Sequence, residues 1–555
     1  MKRAGASTLA IALAAPLMAG TAQALPLMDP DVFSDNGNSI PGAQLRDAIN
    51  DAAGVPNAGL TGFAITPSIG LQETYTDNVN QTHSNRQPDF ITQLTPSITA
   101  SAQTPRLTGN LNYSPTLSWY AETPGNNYIN QSLAGTGLAT LVPDALFVQA
   151  AAYASTISAF GGLTGAPGQI LNQQNRTSVE SFSLGPYFLH EFAPWGTLRV
   201  GANIGYTTTN YNGVPSGFGV VAPNTNNGDQ ITTEETASFT TGEFLSQFQY
   251  TIAVDGQQLQ GTTGTTSGAY NYSVNNTLNY AVNRWLTLTA SAGWQTQYYN
   301  TVPATNISGV TWNLGGTVTP NPDSVITFGY GHSNGFDSFN FAGTYALGGR
   351  TNISLNYSES LGVTLQQIQQ ALNGAYAGPN GILYSASTGA PLDITNSLFA
   401  TQTNLTRNKV LTASITHIWE RDTLTFSLNG QNQVFVARST TSIENSQRGV
   451  TAAVSFNHDL RPDLSLSLYA DYGYQEFYNI GGIGSATQTQ RVYDFSAAMT
   501  YTFTPTLTGN VRYLFTNRNV SPDGTVNGTI NNTVNGTNFS SFYQNIFTVG
   551  IVKTF

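Results

Sequence analysis

Cysteine is absent from all 555 residues, and charge is scarce, since Asp, Glu, Lys and Arg together make up 9% of the chain. The first absence excludes a disulfide framework, cysteine metal sites and a lipidated N-terminal cysteine. The second removes the usual means of keeping a folded chain in water, because ordinary globular domains are about 25% charged. Basic residues number 19 against 30 acidic ones, a net charge of −11, and they are spread thinly along the chain, which argues against a nucleic-acid partner. Beyond the first residues there is also no apolar run of the roughly 18 residues that a membrane-crossing helix needs.

What is present is aromatic and amphipathic. Aromatic residues reach 11%. At the N-terminus, Lys2 and Arg3 precede an apolar run from Thr8 to Gly20 that ends in Ala22-Gln23-Ala24. A charged start, a short apolar stretch and an A-x-A site predict a secretory signal peptide over residues 1–24, cleaved after Ala24. Residues 25–62 are rich in Pro, Gly, Asp and Asn, with one helix-compatible stretch from Ala43 to Ala53. That segment is too short and polar for a core of its own, and is expected to be a periplasmic tail, a partial lumen filler or a contact for a periplasmic partner.

From Phe63 onward the dominant pattern has period two. Leu464, Leu466, Leu468, Ala470, Tyr472 and Tyr474 share one face, and Ser465, Ser467, Tyr469, Asp471 and Gly473 the other. The split recurs from Tyr493 to Phe503 and from Leu198 to Thr207, with no charge on the apolar side. Successive side chains of a strand point to opposite faces, so one face suits lipid and the other water. These segments run to about 10–14 residues, nearer a tilted membrane-crossing strand than the five or six usual in a soluble sandwich.

Nine short turn signals punctuate the pattern: Thr104-Pro105-Arg106, Val142-Pro143-Asp144, Ala193-Pro194-Trp195, Val282-Asn283-Arg284, Asn321-Pro322-Asp323, Leu347 to Arg350, Glu420-Arg421-Asp422, Leu460 to Asp463 and Phe503-Thr504-Pro505. Longer connections rich in Gly, Asn, Thr and Ser lie between them, as at Asp77 to Pro88, Tyr211 to Asp229, Glu359 to Thr403 and Asn519 to Ser540. Short periplasmic turns alternating with long outer loops mark a transmembrane barrel. The expectation is an all-β, antiparallel up-and-down barrel over residues 63–555, with about 20 strands in a range of about 18 to 22. The uncertain stretch is Glu234 to Ser267, where an additional hairpin around Val254-Asp255-Gly256 brings the count to about 22.

At the C-terminus Phe547, Val549, Ile551 and Phe555 alternate on one face, which resembles the signal read by the barrel assembly machinery. Lys553 interrupts the pattern and is expected to snorkel to the interface. His190, His417 and His458 fall on the apolar side near the short-turn ends, level with Trp195, Trp285 and Trp419. Amphipathic rings gather where bilayer meets water, so these six residues form an expected interfacial belt rather than a metal or acid–base site. His83 and His332 lie towards the outer side without a catalytic motif, although Asp337 is within reach of His332. No phosphate-cradling loop occurs, and no cofactor, metal or catalytic residue is assigned.

The opposite faces are rich in Ser, Thr, Asn, Gln and Gly. Arg199, Asp471, Asp494 and Arg512 are the candidate lumen-lining charges, either bracing the wall by pairing or tuning passage. Leu361, Leu365, Ile368 and Leu372 recur at helical spacing within Leu361 to Asn373, with Gln on the other side. That predicts a short amphipathic helix in a long outer loop, and the rim is the expected position over a constriction in the mouth.

Four stretches carry a family resemblance: ETYTDNVN from Glu73 to Asn80, PDFITQLTPSITA from Pro88 to Ala100, PDALFVQAAA from Pro143 to Ala152 and NYSESLGVTLQQ from Asn356 to Gln367. They resemble a family of outer-membrane β-barrels encoded with exopolysaccharide and PEP-CTERM/exosortase systems. The resemblance implies a Gram-negative outer-membrane location and an association with polysaccharide export components, and it supplies no site residues. Two functions remain open on this reading: a porin-like conduit for polysaccharide or other hydrophilic solutes, and a non-conducting docking barrel of a surface polysaccharide or secretion assembly. An enzyme is not expected.

Overall fold

A computed structural model describes residues 62–158, 165–171, 176–211, 228–262, 264–378, 382–385, 404–437, 446–478, 487–523, 533–534, 537–538 and 541–555. The expected leader, the Ala43 to Ala53 helix and residues 25–61 lie outside these. Twenty-four hydrogen-bonded segments form one sheet, and because two strands are each interrupted once, the sheet is a closed antiparallel barrel of 22 staves.

In chain order the staves are β1 (Gly62–Thr76), β2 (Asp89–Gln103), β3 (Leu107–Tyr113, resumed at Thr116–Tyr120), β4 (Tyr128–Asn130, resumed at Leu133–Val142), β5 (Leu146–Ser158), β6 (Arg176–Phe192) and β7 (Gly196–Tyr211). Then come β8 (Gly228–Thr241), β9 (Phe248–Gly261), β10 (Ala269–Asn283), β11 (Leu286–Tyr299), β12 (Thr305–Asn321), β13 (Ser324–Ser333), β14 (Phe336–Leu347) and β15 (Thr351–Gly362). The last are β16 (Leu405–Ile418), β17 (Asp422–Ala437), β18 (Ser446–Arg461), β19 (Leu464–Tyr478), β20 (Thr487–Thr504), β21 (Leu507–Asp523) and β22 (Phe542–Thr554). The break in β3 falls at Pro115, which has no N–H to give the ladder.

Each stave pairs with its neighbours in sequence, and β1 closes on β22 from Ser68↔Thr554 to Thr76↔Ile546. Side chains reinforce that seam. Thr74 and Thr548 share a hydroxyl hydrogen bond of 3.2 Å, and Asp77 accepts from the Asn545 backbone N–H and side-chain amide, both at 2.8 Å. Outward faces carry Phe182, Leu184, Val200, Ile204, Phe495 and Met499, all exposed. Inward faces bury Ser181, Ser183, Thr207, Gln230, Gln257 and Gln475. An apolar exterior on a closed sheet is the form in which strands cross lipid, since every backbone group is paired and no edge remains.

The additional hairpin of the doubtful stretch exists, but its turn is not at Val254-Asp255-Gly256, which lies within β9. The chain turns instead at 242–247, with a 3₁₀ turn at Glu243–Leu245. This connection lacks Pro, Asn and Asp and exposes Phe244, whose ring packs at 5.4 Å on Trp195 of the adjacent turn. A second departure is the tight connection between β13 and β14 at the loop end, Asn334-Gly335. Both residues have positive φ, 54° and 78°, as a two-residue hairpin of matching twist requires.

The turns at 193–195 and 242–247 interlock. The Gly242 N–H donates to the Trp195 carbonyl at 2.8 Å, and Gly196 sits with φ 153° where a Cβ would meet the Thr240 carbonyl oxygen at 2.2 Å. Gly196→Ala is therefore expected to destabilise the folded barrel by about 1–3 kcal/mol. Urea unfolding in lipid vesicles, followed by tryptophan fluorescence, measures the shift.

Candidate functional site

The lumen gathers polar side chains, and two segments of the chain fold into it. After Gly362 the backbone leaves β15, extends through Val363 and enters helix α1 (Thr364–Asn373). This helix lies inside the wall, not on the rim where a long loop was expected to carry it. Its apolar side is buried through Leu365, Ile368 and Leu372, and its polar side is buried as well, through Gln366, Gln369 and Asn373. An amphipathic helix on a rim would leave its glutamines in water.

Here the wall supplies their partners. Gln369 Oε1 accepts from Ser181 Oγ at 3.0 Å and Thr207 Oγ1 at 2.7 Å, on β6 and β7. Gln366 Nε2 donates to Gln257 Oε1 at 3.0 Å, and its Oε1 accepts from Tyr299 OH at 3.3 Å. Asn373 donates to Glu234 Oε2 at 3.4 Å, and Asn408 donates to Gln367 Oε1 at 3.3 Å from the far side of the barrel. Room for Gln369 comes from Gly205 on β7, where a Cβ would stand 2.5 Å from the amide.

Apolar contacts complete the seat. Ile368 packs with Ile157 and Val179, and Leu372 joins Ala134, Ala151, Ala375, Ala377 and Leu383. The last three belong to a small hairpin, Ala375–Ala377 with Leu383–Ser385, that continues the helix along the wall. The Ala377 N–H donates to Thr136 Oγ1 at 2.8 Å, and its carbonyl accepts from Asn110 at 3.0 Å. Burying Ile368 and Leu372 contributes about 1.5–3 kcal/mol each, enough to hold the polar ties in place.

Residues 165–171 form the second inward segment. Gln169 donates to Asp494 Oδ2 at 2.8 Å, Gln81 donates to the Ile170 carbonyl at 2.7 Å, and Ala166 packs against Leu514 and Ile546.

All four expected lumenal charges face inward, but they do not form one site. Asp471 on β19 and Asp494 on β20 stand directly opposite each other in the ladder. Arg512, on β21, lies against Gly168 of the inward segment, 3.0 Å from where that residue's Cβ would be. Arg199 is on β7, its guanidinium 4.4 Å above the Tyr187 ring. Sequence reasoning missed four more. Glu234 on β8 and Asp255 on β9 make a second acidic pair, half-way round the 22-stave barrel from the first. Arg176 and Arg518 are stacked on Tyr128 and Phe542 at 3.7 and 5.0 Å. Arg176, Arg199 and Arg518 are thus held on the wall by rings, while one acid of each pair accepts an amide from an inward segment.

The remaining candidates sit outside the lumen. His190 packs between Phe188 and Phe192, His417 lies 4.1 Å from Trp419, and His458 donates from Nδ1 to Asp422 Oδ1 at 2.6 Å. Trp195 and Trp285 are exposed at the same end. His332 and Asp337 are cross-strand neighbours bonded at 2.7 Å on the outer face, and His83 is exposed in the β1–β2 connection. Phe547, Val549, Ile551 and Phe555 are exposed outward, and Lys553 reaches the turn at Thr506 Oγ1, 2.5 Å away. No cluster of three or more His, Asp or Glu suited to a metal occurs among the described residues.

The sequence matches no protein-family model and no curated protein sequence. Solved structures with a similar fold include the siderophore receptor PirA from Acinetobacter baumannii, at 10% identity and TM-score 0.46 over 90% of this chain and 81% of that one. The ferric-catecholate import receptor Fiu from E. coli K12 aligns at 9% identity and TM-score 0.49, over 89% and 82%. OccK2 (OpdF) from Pseudomonas aeruginosa aligns at 9% and 0.31, over 89% and 99%.

Gln369→Ala removes the acceptor shared by Ser181 and Thr207 and leaves two buried hydroxyls without it. Local opening of Thr364–Asn373 is expected to become about tenfold easier, the equivalent of about 1.4 kcal/mol for lost buried hydrogen bonds. Hydrogen exchange of the helix amides reads that change directly.

Proposed function

We propose that this protein is an outer-membrane conduit of restricted bore for hydrophilic, mainly uncharged solutes, saccharides among them, working beside an exopolysaccharide system. The observation that carries the reading is the lumen itself. Its lining is mainly hydroxyl and amide, three of its arginines are stacked on rings, and helix α1 narrows the passage while presenting amides rather than charge. Such a surface exchanges hydrogen bonds with hydrated neutral solutes and offers ions no strong binding field. The stretches at Glu73 to Asn80 and Pro88 to Ala100 support the exopolysaccharide association, and the leader at 1–24 supports export to the outer membrane with the short turns periplasmic.

A docking barrel is the second reading, favoured by one feature: the polar face of α1 is satisfied by the wall, as in a permanent plug. Planar-bilayer recording on the wild type, and on a variant with residues 364–385 replaced by a short Gly-Ser link, separates the two. A conduit gives a small stable wild-type current and a larger one after replacement, with neutral saccharides entering vesicles. A silent wild type whose current appears only after replacement supports the docking barrel. Silence in both, with the barrels folded, contradicts a passage altogether.

A further inference from the structure

One carboxylate faces the wrong solvent. Glu235 on β8 is exposed on the outer face, on the same side as Ile231 and Phe239, with Ala202 and Gly256 as its cross-strand neighbours. Its position is six residues above the short-turn end of β8 at Thr241. That is the level of Ala202, flanked on β7 by the exposed Val200 and Ile204, well inside the apolar band. No hydrogen bond or ion pair to Glu235 occurs among the described residues. A lipid-facing charge at this depth is costly, and where one persists it marks a place that lipid does not fill.

Two staves away the same face offers a matching donor. Asn276 on β10 points outward seven residues above the end of its stave at Asn283, nearly the same height as Glu235. Its Oδ1 accepts from Tyr250 OH at 2.5 Å. Its Nδ2 makes one long bond of 3.4 Å to the Ala292 carbonyl, leaving its second hydrogen for another acceptor. Between the two lies β9, with Gly256 and the exposed Val254. Around them Ala202, Ala237 and Ala292 project little from the wall, so a second surface can approach closely.

We infer that this face binds a second copy of the same chain. The barrels pair about a twofold axis along the membrane normal beside Val254 of β9, so that Glu235 of each copy accepts from Asn276 of the other. The geometry is self-complementary, as an isologous contact requires: acceptor and donor stand at similar height, one stave to each side of the axis. The register, in which Glu235 lies across from Gly256 and Asn276 from Ile252, puts them about 16 Å apart on each copy with Val254 midway between. The contact removes each carboxylate from lipid and gives it one charge-assisted donor, two such bonds per dimer.

Because the chain has no cysteine, Val254→Cys places one thiol beside the proposed axis. Oxidation in intact outer membranes is expected to give an adduct of twice the chain mass. Phe495→Cys on β20, half-way round the barrel, is expected to give none. Adding Glu235→Leu to Val254→Cys lowers the adduct yield by about tenfold or more, as loss of charge-assisted hydrogen bonds implies, while Glu235→Gln retains most of it. Asn276→Leu tests the same contact from the donor side, and heat-modifiable migration on gels identifies folded protein, so one variant that fails to fold leaves the other decisive. A Val254→Cys barrel that stays monomeric overturns the inference. So does an adduct with a different protein, equal cross-linking at Phe495→Cys, or a dimer indifferent to both leucine variants.

Discussion

A backbone N–H or C=O placed in hydrocarbon without a partner costs several kcal/mol, and almost everything in this molecule follows from avoiding that cost. No helix among the described residues is long and apolar enough to cross a membrane, and the closed sheet meets the requirement with strands. Strands satisfy it only by closing, and here the closing pair is β1 with β22, tied by Thr74 to Thr548 and by Asp77 to Asn545. Once the sheet is closed, the period of two decides which residues meet lipid and which meet the lumen. The scarcity of charge and the excess of aromatic residues are then two aspects of one surface.

The lumen obeys the same rule in another medium. A polar wall enclosing polar segments is stable when each amide and hydroxyl finds a partner, and α1 is held by such pairings at Ser181, Thr207, Gln257 and Tyr299. Leucine and isoleucine anchor the helix, and glutamine sets its orientation. The acidic pairs follow suit: Glu234 and Asp494 each accept an amide from an inward segment. The arginines nearby spend their charge on tyrosine and phenylalanine rings.

Much of this was legible in the residues. Alternation without charge on one face revealed the barrel, and where the alternation was clean it also revealed the inward side of Arg199, Asp471, Asp494 and Arg512. The turn at 242–247 was not legible, because Phe244 and Leu245 read as strand and no Pro or Asn marks the bend. Losing that turn lost the phase of β8 and β9, and with it the inward Glu234 and Asp255 and the outward Glu235, which differ from one another only by parity. The helix was visible in the spacing of Leu361, Leu365, Ile368 and Leu372. Its position was not, since a glutamine face signals water unless a wall brings hydroxyls to it, and those hydroxyls come from residues 67 to 188 positions away in the chain. Gly205, opposite Gln369, is a local trace of that contact, and it is indistinguishable in the sequence from any other strand glycine.

One closed wall separates lipid from a polar lumen residue by residue. Nitroxide labels placed singly from Leu464 to Tyr478 in the cysteine-free chain, reconstituted in bilayers, test it most directly. Collisions with oxygen are predicted to peak at Leu464, Leu466, Leu468, Ala470 and Tyr472, and to fall at Ser465, Ser467, Tyr469, Asp471 and Gly473. A period near 3.6, or uniform access to a water-soluble relaxant along the whole stave, would rule out such a wall.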